Sequence, residues 1–321
     1  MEKKDDQFEE FFKTLPQKHA CGSLFAQYKG FWFDGAFLHG VITFYNHFEA
    51  HNSDIILATI PKAGTTWLKA LTFSIVNRKK YSIPDSPLLF NNPHLLVPFL
   101  EASLYNKGKV PNVKSIPSPR IFATHIPLQC LPNTILGNSS CRIIYLCRNP
   151  LDLFTSSIHF LIQNGLFPQE PESMDGAFES FCEGIFQYGP FWDHMLGYWE
   201  ASIKDSNKVL FLKYEDLKRD INSFVKKIAE FMGYGFSQLE EDEGMVEQVA
   251  KLCSLETLKY LDCNNKGGSS HSVIKVAFRS FFRKGKVGDW ANFLTPTMAK
   301  RLEDLMKEKF KDTGLTLTIH D

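Results

Sequence analysis

The 321-residue sequence lacks an excess of either charge, since Lys plus Arg and Asp plus Glu both total 36. A general nucleic-acid-binding protein usually carries a basic excess, so the composition argues against a nucleic-acid partner. No apolar run approaches the roughly 18 residues that a membrane-spanning helix needs. We therefore expect neither nucleic acid nor membrane as a partner, and any anion site must be a local concentration of basic side chains.

Cysteine is sparse and shows no pattern. The seven cysteines are scattered, no C-x-x-C occurs, and no Cys/His cluster has the spacing of a zinc site. This usage predicts reduced thiols and no metal. The first residues carry both signs of charge, which is untypical of a targeting peptide. We expect a cytoplasmic protein in which residues 1–17 form a flexible segment and residues 18–321 form one domain.

An apolar run from Ile55 to Ile60 predicts a strand that is buried on both faces of a parallel sheet. A polar turn with Lys62 and Gly64 follows, and a helical pattern begins at Trp67. The first N–H groups of a helix lack intrahelical partners and its dipole favours an anion, so this unit predicts a phosphate site. It is not the usual nucleoside-triphosphate loop, because Lys62 precedes the glycine. An ordinary connection with a solvated lysine is the alternative.

Other apolar runs also end in polar residues. His125 follows the run at 120–124 and Arg148 follows the run at 141–147, where parallel α/β sheets build their sites. A neutral imidazole can accept the proton of a hydroxyl nucleophile, and an ordinary histidine pKa would make the rate rise with pH through roughly 6 to 7. Arg148 offers a planar donor fork for a phosphate. The alternatives are a histidine held by backbone groups and a structural Arg148–Asp152 pair.

A basic segment stands near the carboxyl terminus. Four of the nine residues from Phe278 to Lys286 are basic, although the chain has no net charge. Gly285 and Gly288 leave backbone N–H groups free to point at one anion, as in a nest. A solvated basic loop is the alternative reading.

Four strings resemble one known family. PKAGTTW at 61–67, THIPLQCLP at 124–132, RNPLDLFTSSIHF at 148–160 and RKGKVGDW at 283–290 resemble motifs of the soluble sulfotransferases, and their order is that of the family. These enzymes use 3′-phosphoadenosine-5′-phosphosulfate (PAPS). The resemblance is closest to the plant type, which includes flavonoid and brassinosteroid sulfotransferases, and it covers residues 28–311.

The resemblance implies a single α/β domain with a central parallel sheet of about five strands, helices on its flanks and a P-loop-like turn for the phosphosulfate. It implies sulfuryl transfer to a hydroxyl of a small, largely apolar acceptor, with adenosine 3′,5′-bisphosphate (PAP) as product and no metal. His125 would be the general base and Lys62 the catalytic cation. The implied cofactor contacts are Lys62, Ala63, Gly64, Thr65, Thr66, Trp67, Arg148, Ser156, Tyr214, Arg283, Lys284 and Gly285.

Some positions depart from the family pattern. Ala63 stands where Ser or Thr is usual, Leu151 replaces a lysine and Cys253 replaces a threonine near the adenine. Animal relatives dimerise through a K-x-x-x-T-V-x-x-x-E segment. The matching stretch at 291–300 has lost both charged ends and has Pro296 in place of valine, so we expect a monomer.

The acceptor pocket is less defined by the sequence. The proline-rich segment 79–119 is predicted to form part of it. Trp32 either lines the pocket or packs between surface and core, and Phe191 is a second candidate for its wall. The aromatic content favours ring-shaped acceptors such as flavonoids, sterols and related phenols or alcohols.

Two other functions remain open at this point. A nucleoside kinase-like phosphotransferase would share the strand–turn–helix site and would need an acidic magnesium ligand, for which Asp152 and Asp216 are candidates. A nucleotide-binding module without catalysis is the other. The presence of both Lys62 and His125 argues against that module.

Overall fold

A four-stranded parallel sheet organises the computed structural model, which describes residues 2–138, 140–167, 171–268 and 273–319. Its strand order is β5-β4-β6-β7, and every neighbouring pair is parallel. A separate antiparallel sheet has the order β1-β2-β3. The strands are β1 (Gln17–Ala20), β2 (Ser23–Tyr28), β3 (Phe31–Asp34), β4 (Ile55–Thr59), β5 (Ile121–Thr124), β6 (Arg142–Cys147) and β7 (Val209–Lys213).

Helices cover both faces of the parallel sheet. The α-helices of the described residues are α1 (Glu2–Thr14), α2 (Gly35–His47), α3 (Thr65–Asn77), α4 (Pro93–Leu96), α5 (Asn133–Leu136), α6 (Pro150–Gln163), α7 (Pro171–Cys182), α8 (Phe191–Lys204), α9 (Tyr214–Arg219), α10 (Ile221–Met232), α11 (Gln238–Asp242), α12 (Met245–Leu252), α13 (Leu255–Tyr260), α14 (Asp262–Asn265) and α15 (Pro296–Lys309). A short π-helix spans Leu100–Leu104.

The core has two large parts, one on each face of the parallel sheet. Ile56 and Ala58 of β4 belong to one apolar cluster, and Ile55 and Leu57 belong to the other. Successive side chains of a strand point to opposite faces, so a strand covered on both sides must be apolar throughout. All five residues of β4 are buried, which explains its unbroken apolar run.

The parallel sheet has four strands, so the prediction of about five was wrong by one. Beside β5, the described residues form a single parallel bridge, between Phe99 and Ala123. Pro98 has no N–H to extend the ladder, and the π-helix begins at Leu100. The position of a fifth strand is therefore occupied by one bridge and not by a ladder.

A buried ion pair fixes the edge of the sheet that lies opposite the site. Arg120 donates from Nε and Nη2 to the two carboxylate oxygens of Asp54, at 2.7 and 2.5 Å, and both side chains are fully buried. These residues immediately precede β5 and β4. A bidentate pair of this kind sets the register of neighbouring strands, and losing one partner leaves an uncompensated buried charge.

The amino-terminal region is ordered around its aromatic residues. Helix α1 covers most of the segment that the sequence predicted to be flexible, and it buries Phe12 against the core. The boundary between residues 17 and 18 remains a prediction. The small antiparallel sheet that follows was not predicted, because its strands are short and lack a clear alternation of apolar residues.

Candidate functional site

The four parallel strands each lead directly into a candidate site residue at one edge of the sheet. Strand β4 runs into the turn that carries Lys62, and β5 is followed by His125. Strand β6 is followed by Arg148, and Tyr214 begins the helix after β7. The carboxyl ends of parallel strands meet at one edge, so residues separated by up to 152 positions in the chain converge there.

The phosphate-type turn has a backbone that few residues adopt readily. Gly64 has φ 111° and precedes α3 as its N-cap. A Cβ at this position would lie 2.8 Å from Cδ2 of Tyr214, so glycine is required by both conformation and space. Lys62 has φ 71°, the left-handed region that costs a non-glycine residue free energy and that is found at functional sites.

One cavity of about 480 Å³ runs along this edge of the sheet. It is lined by the candidate catalytic residues and by most of the cofactor contacts that the sequence predicted. Those lining residues are Lys62, Gly64, Thr65, Thr66, Trp67, His125, Arg148, Ser156, Tyr214, Arg283 and Gly285.

Two residues of the predicted cofactor set do not line the cavity. The side chain of Ala63 is fully buried in the core, and its N–H donates to the carbonyl of Ile60 at 3.2 Å. Lys284 is exposed, and its Nζ pairs with Asp289 at 2.8 Å. The structure therefore gives Ala63 a packing contact where a cofactor contact was predicted, and it directs Lys284 to a neighbouring carboxylate.

Lys62 is a cation without a carboxylate partner among the described residues. Its Nζ lies over the ring of Phe160, 4.0 Å from the centroid. Burial, with the positive charges of Arg148 and Arg283, lowers the pKa of Lys62 to about 7. An anion that enters the cavity would relieve this repulsion, so the three cations form a binding site for negative charge.

His125 is held as a neutral imidazole with one nitrogen available. Its Nδ1 lies 2.7 Å from the carbonyl oxygen of Thr59, and only a protonated nitrogen can donate to that oxygen. Burial lowers the pKa of His125 to about 3, and the nearby Lys69, His194 and Lys62 also disfavour its charge. The lone pair is thus placed on Nε2, the nitrogen for which the structure gives no protein partner among its described residues.

Glu101 is a buried residue that the sequence did not indicate, and its carboxylate accepts a hydrogen bond from the backbone of His125. Oε1 of Glu101 accepts the backbone N–H of His125 at 2.8 Å, and Oε2 accepts the hydroxyl of Thr124 at 2.9 Å. The hydroxyl of Tyr188 donates to the same carboxylate at 3.3 Å. Glu101 lies in the π-helix, and neither its spacing nor its neighbours in the chain indicated that it would meet β5.

The carboxylate of Asp152 connects Arg148 with the backbone of residues 288–290. It accepts the backbone N–H groups of Gly288 and Trp290, at 2.9 and 3.1 Å, and it lies 3.3 Å from Arg148. Arg148 also donates to the carbonyl of Lys286 at 2.7 Å. The structural Arg148–Asp152 pair therefore exists. With these hydrogen bonds it holds the basic loop, residues 278–290, against the start of α6.

Several buried donors in this region have no partner among the described residues. They are Nε1 of Trp67, Nε of Arg148 and Nε of Arg283, and all three side chains line the cavity. A buried donor without a partner costs free energy, so such groups at a cavity indicate a polar ligand. Arg148 and Arg283, whose charges also act on Lys62, therefore fit an anionic group, and Trp67 offers a further donor.

Next to Arg148, the aromatic pair of Trp67 and Tyr214 offers surfaces that fit a purine base. Trp67 and Tyr214 meet edge to face with ring centroids 5.7 Å apart, and the guanidinium of Arg148 lies 4.6 Å from the Tyr214 ring. The adjoining wall of the cavity is formed by Lys218, Ile221, Ala250, Cys253, Ser254, Leu255 and Leu258. Cys253 is fully buried, with its sulfur 3.4 Å from the hydroxyl of Ser74.

The other end of the cavity is mostly apolar. Part of the proline-rich segment lies here as predicted, through His94, Phe99 and Ala102. Its remaining aromatic wall consists of Phe25, Phe37, Phe160, Phe186 and Tyr188. Neither Trp32 nor Phe191 lines it.

Both of those aromatic residues pack in the interior. Trp32 packs against a small cluster that includes Phe25 and Ile185, which agrees with the packing alternative. Phe191 stacks on Phe181 with centroids 4.9 Å apart, inside the main core, so its assignment to the pocket wall was wrong.

The described residues give no support to a magnesium site. They contain no group of three or more His, Cys, Asp and Glu side chains that could hold a metal ion. Asp152 is fully buried and both of its oxygens accept backbone N–H groups. Asp216 pairs with Arg219 on the surface, at 3.2 Å. The kinase-like alternative thus loses both of its candidate ligands.

Comparisons with known proteins agree with this geometry. The family model described as "Sulfotransferase domain" matches residues 52–314. "Cytosolic sulfotransferase 15" of Arabidopsis thaliana is 42% identical over 98% of this chain and 88% of its own length. None of the helices in the described residues is long and apolar enough to cross a membrane.

Two solved structures have the same fold. An Arabidopsis thaliana sulphotransferase crystal structure is 38% identical, with a TM-score of 0.76 over 96% of this chain and 94% of that one. A mouse sulfotransferase in complex with PAP is 28% identical, with a TM-score of 0.69 over 90% of this chain and 94% of that one.

Proposed function

The chain belongs to the sulfotransferase family and is an enzyme of that class, and we propose that it moves the sulfuryl group of PAPS to a hydroxyl of a small, largely apolar acceptor. The observation that supports this most is the neutral His125, which has no partner on Nε2 among the described residues and lines the same cavity as the cationic Lys62. One group can take a proton and the other can stabilise negative charge. This division of roles suits transfer to a neutral nucleophile.

We propose that the two ends of the cavity hold different molecules. The aromatic pair, the phosphate-type turn and the basic loop would hold PAPS, with Arg148, Ser156 and Arg283 on the 3′-phosphate. The apolar end would hold the acceptor. Its aromatic side chains favour a flat, ring-containing molecule such as a flavonoid, a sterol or a related phenol or alcohol.

When bound, PAPS supplies a sulfuryl group whose bond to the 5′-phosphate oxygen breaks as a bond to the acceptor oxygen forms. His125 would take the acceptor's proton on Nε2, while Thr59 keeps Nδ1 protonated and fixes the ring. Lys62 and the first N–H groups of α3 would stabilise the charge that grows on the leaving phosphate. Thr65 and Thr66 would add hydroxyl donors on the same side.

A binding experiment tests the choice of nucleotide. We expect retention on immobilised PAP and elution by free PAP, with no elution by excess ATP and magnesium. Elution by ATP and magnesium as readily as by PAP would favour the phosphotransferase alternative. This experiment needs no knowledge of the acceptor.

We expect Arg283 to bind the 3′-phosphate of PAPS and of PAP. Its Nη1 is held by Asp289 at 2.5 Å, its Nε has no partner among the described residues, and the residue lines the cavity. Arg283→Ala should weaken PAP binding by roughly 10-fold or more, the effect of losing a hydrogen bond to a charged group, while adenosine 5′-phosphate binds nearly as before. Calorimetry with both ligands measures the difference.

The matched control for this variant is Arg279→Ala. Arg279 lies in the same basic segment but is exposed and outside the cavity lining. It should leave both affinities unchanged. Equal losses of the two ligands in Arg283→Ala would remove the assignment to the 3′-phosphate.

We propose that the protein acts as a cytosolic monomer, with the acceptor and PAPS as its small-molecule partners. The Arabidopsis thaliana relative named above is a cytosolic sulfotransferase, which supports the location. The stretch 291–300 lacks the charged ends of the dimer segment of animal relatives, and Pro296 begins α15 within it. Light scattering at micromolar concentration should give the mass of one chain, and twice that mass would contradict the proposal.

A further inference from the structure

A buried lysine next to the phosphate-type turn has no role in the mechanism above. Lys69 lies on α3, one helical turn after Thr66, and it is fully buried. Its Nζ is 3.1 Å from Nδ1 of His94 and 3.4 Å from the centroid of the Phe99 ring. Nε2 of His94 in turn lies 2.9 Å from Oγ1 of Thr66. The three side chains thus form a continuous chain of hydrogen bonds that ends at the cavity.

The direction of this chain follows from its donors. With Lys69 in its ammonium form, Nζ can only donate, so Nδ1 of His94 accepts from Lys69. Burial, together with the neighbouring groups of Lys69, His125 and Lys62, lowers the pKa of His94 well below its usual range, so the ring carries a single proton, on Nε2. That proton is donated to Oγ1 of Thr66. The hydroxyl hydrogen of Thr66 is then left to point away from His94, toward the cavity.

An anion in the cavity favours this direction. Burial lowers the pKa of Lys69 well below its ordinary value, and the charge of Glu101 opposes this effect only in part. The negative charge of a bound nucleotide would stabilise the ammonium form of Lys69. Binding of the anion and the outward direction of the Thr66 hydroxyl therefore support each other.

The ring of His94 is held rigidly in this position. Its backbone N–H donates to Oδ1 of Asn92 at 2.9 Å, and Nδ2 of Asn92 donates to Oδ1 of Asn264 at 2.7 Å. The ring packs between Phe281 and Phe99, with centroids 4.1 and 5.5 Å away. A group fixed from several sides can orient a hydroxyl without loss of side-chain entropy at the moment of binding.

We propose that Lys69 and His94 are positioning residues that aim the Thr66 hydroxyl at the 5′-phosphate side of the bound nucleotide. This inference rests on the proposed function, because it assumes that the nucleotide's 5′ end lies at the turn. Neither residue needs to touch the substrate. Each acts through Thr66. The chain Lys69–His94–Thr66 is called the relay below, and its dependence on Thr66 distinguishes it from a structural contact.

A double-mutant cycle tests this dependence. His94→Phe keeps the ring packing and removes both hydrogen bonds, and Thr66→Val removes the hydroxyl. Each should weaken PAP binding by about 5- to 10-fold, the loss of one hydrogen bond to a charged group. The double variant should stay within about twofold of Thr66→Val, because His94 has nothing left to orient. Calorimetry measures all four affinities without turnover.

A conservative variant provides the rescue. The amide nitrogen of glutamine can replace Nε2 as donor, so His94→Gln should retain most of the wild-type affinity while His94→Phe does not. Lys69→Met should resemble His94→Phe, and it too should add little to Thr66→Val. Thermal unfolding of each variant separates these effects from a loss of folded protein.

Three outcomes would overturn the inference. The losses of His94→Phe and Thr66→Val could multiply in the double variant, His94→Gln could bind PAP as weakly as His94→Phe, or His94→Phe could bind with wild-type affinity. If the wild-type protein bound no PAP, the proposed function would fail together with the relay. Additive losses on a wild-type protein that binds PAP contradict the relay alone.

Discussion

Replacing His125 with alanine is expected to abolish turnover of alcohol acceptors, a loss of about 10³-fold or more, within the range contributed by a general base. The reason is that an alcohol barely ionises at neutral pH and needs its proton removed during the attack. Nε2 of His125 is the group that can take it. Phenols with strongly acidic hydroxyls should keep part of their rate in the same variant, because they arrive partly ionised.

The pH dependence gives a second measurement of the same role. The base works in its neutral form, so kcat/KM is lost as pH falls through the pKa of His125. Burial lowers that pKa to about 3, so the rise through roughly pH 6 to 7 that an ordinary imidazole would give should be missing. We expect kcat/KM for the acceptor, measured at saturating PAPS, to be essentially flat over that interval, because the negative charge of the bound nucleotide raises the pKa of Lys62 above the value of about 7 that it has in the free protein.

His159→Ala is the matched control. His159 is also a half-buried histidine, but it packs against Phe293 and lies outside the cavity lining. Its replacement should leave turnover of both acceptor classes close to that of the wild type. An alanine variant of His125 that is fully active on a steroidal alcohol would contradict the assigned role.

Replacing Lys62 with alanine should lower kcat by roughly 10²-fold or more, the scale of removing one donor to developing charge. The cation stands at the turn after β4, where the leaving phosphate is expected, and it has no carboxylate partner among the described residues. The affinity for PAP should fall by a smaller factor, because Arg148 and Arg283 remain at the other phosphate. Steady-state kinetics and calorimetry measure the two effects separately.

Lys62→Arg separates charge from geometry. It keeps a positive charge, so PAP binding should be nearly preserved. The planar guanidinium does not reproduce the point charge of the ammonium in the space beside Phe160, so kcat should recover only in part. An unchanged kcat with a raised KM in Lys62→Ala would show that Lys62 binds ground and transition states equally.

The elements that could be predicted from the sequence are those that depend on residues close together in the chain. The run before Lys62 had to be a doubly buried strand, since all five of its residues are apolar or small and all are buried. Helix α10 spans Ile221–Met232 and buries residues at a helical spacing that the sequence also shows: Val225, Ile228, Ala229 and Met232. The terminal helix begins at Pro296, where a proline suits the first turn.

The parts that could not be predicted depend on contacts between distant positions. The N–H of His125 is paired with Glu101 across 24 residues, and Asp152 accepts from Trp290 across 138. Nothing near Glu101 in the sequence distinguishes its carboxylate from an exposed one. The sequence of 239–258 indicates a helical stretch that is acidic at its start, but the structure divides it among three helices, because Gly244 and Ser254 each take an N-cap conformation within it.

Lys69 and His94 illustrate the same limit. Each is an ordinary residue in its own helix, and only the fold brings Nζ of one to Nδ1 of the other. The orientation of Ala63 was also not visible in the sequence, and its contact with the cofactor remains a prediction. A position inside a motif can turn its side chain toward the core, and Ala63 is fully buried there.

The central claim is sulfuryl transfer from PAPS, and the most direct test is a transfer assay with radiolabelled PAPS. The purified protein would be incubated with representative flavonoids, sterols and simple phenols, and labelled product would be measured together with PAP. We expect label in at least one of these classes, formation of PAP in equal amount, no requirement for added metal, and no product from the His125→Ala variant with an alcohol acceptor. Release of labelled sulfate without any labelled acceptor, or transfer of phosphate from ATP under the same conditions, would contradict the account.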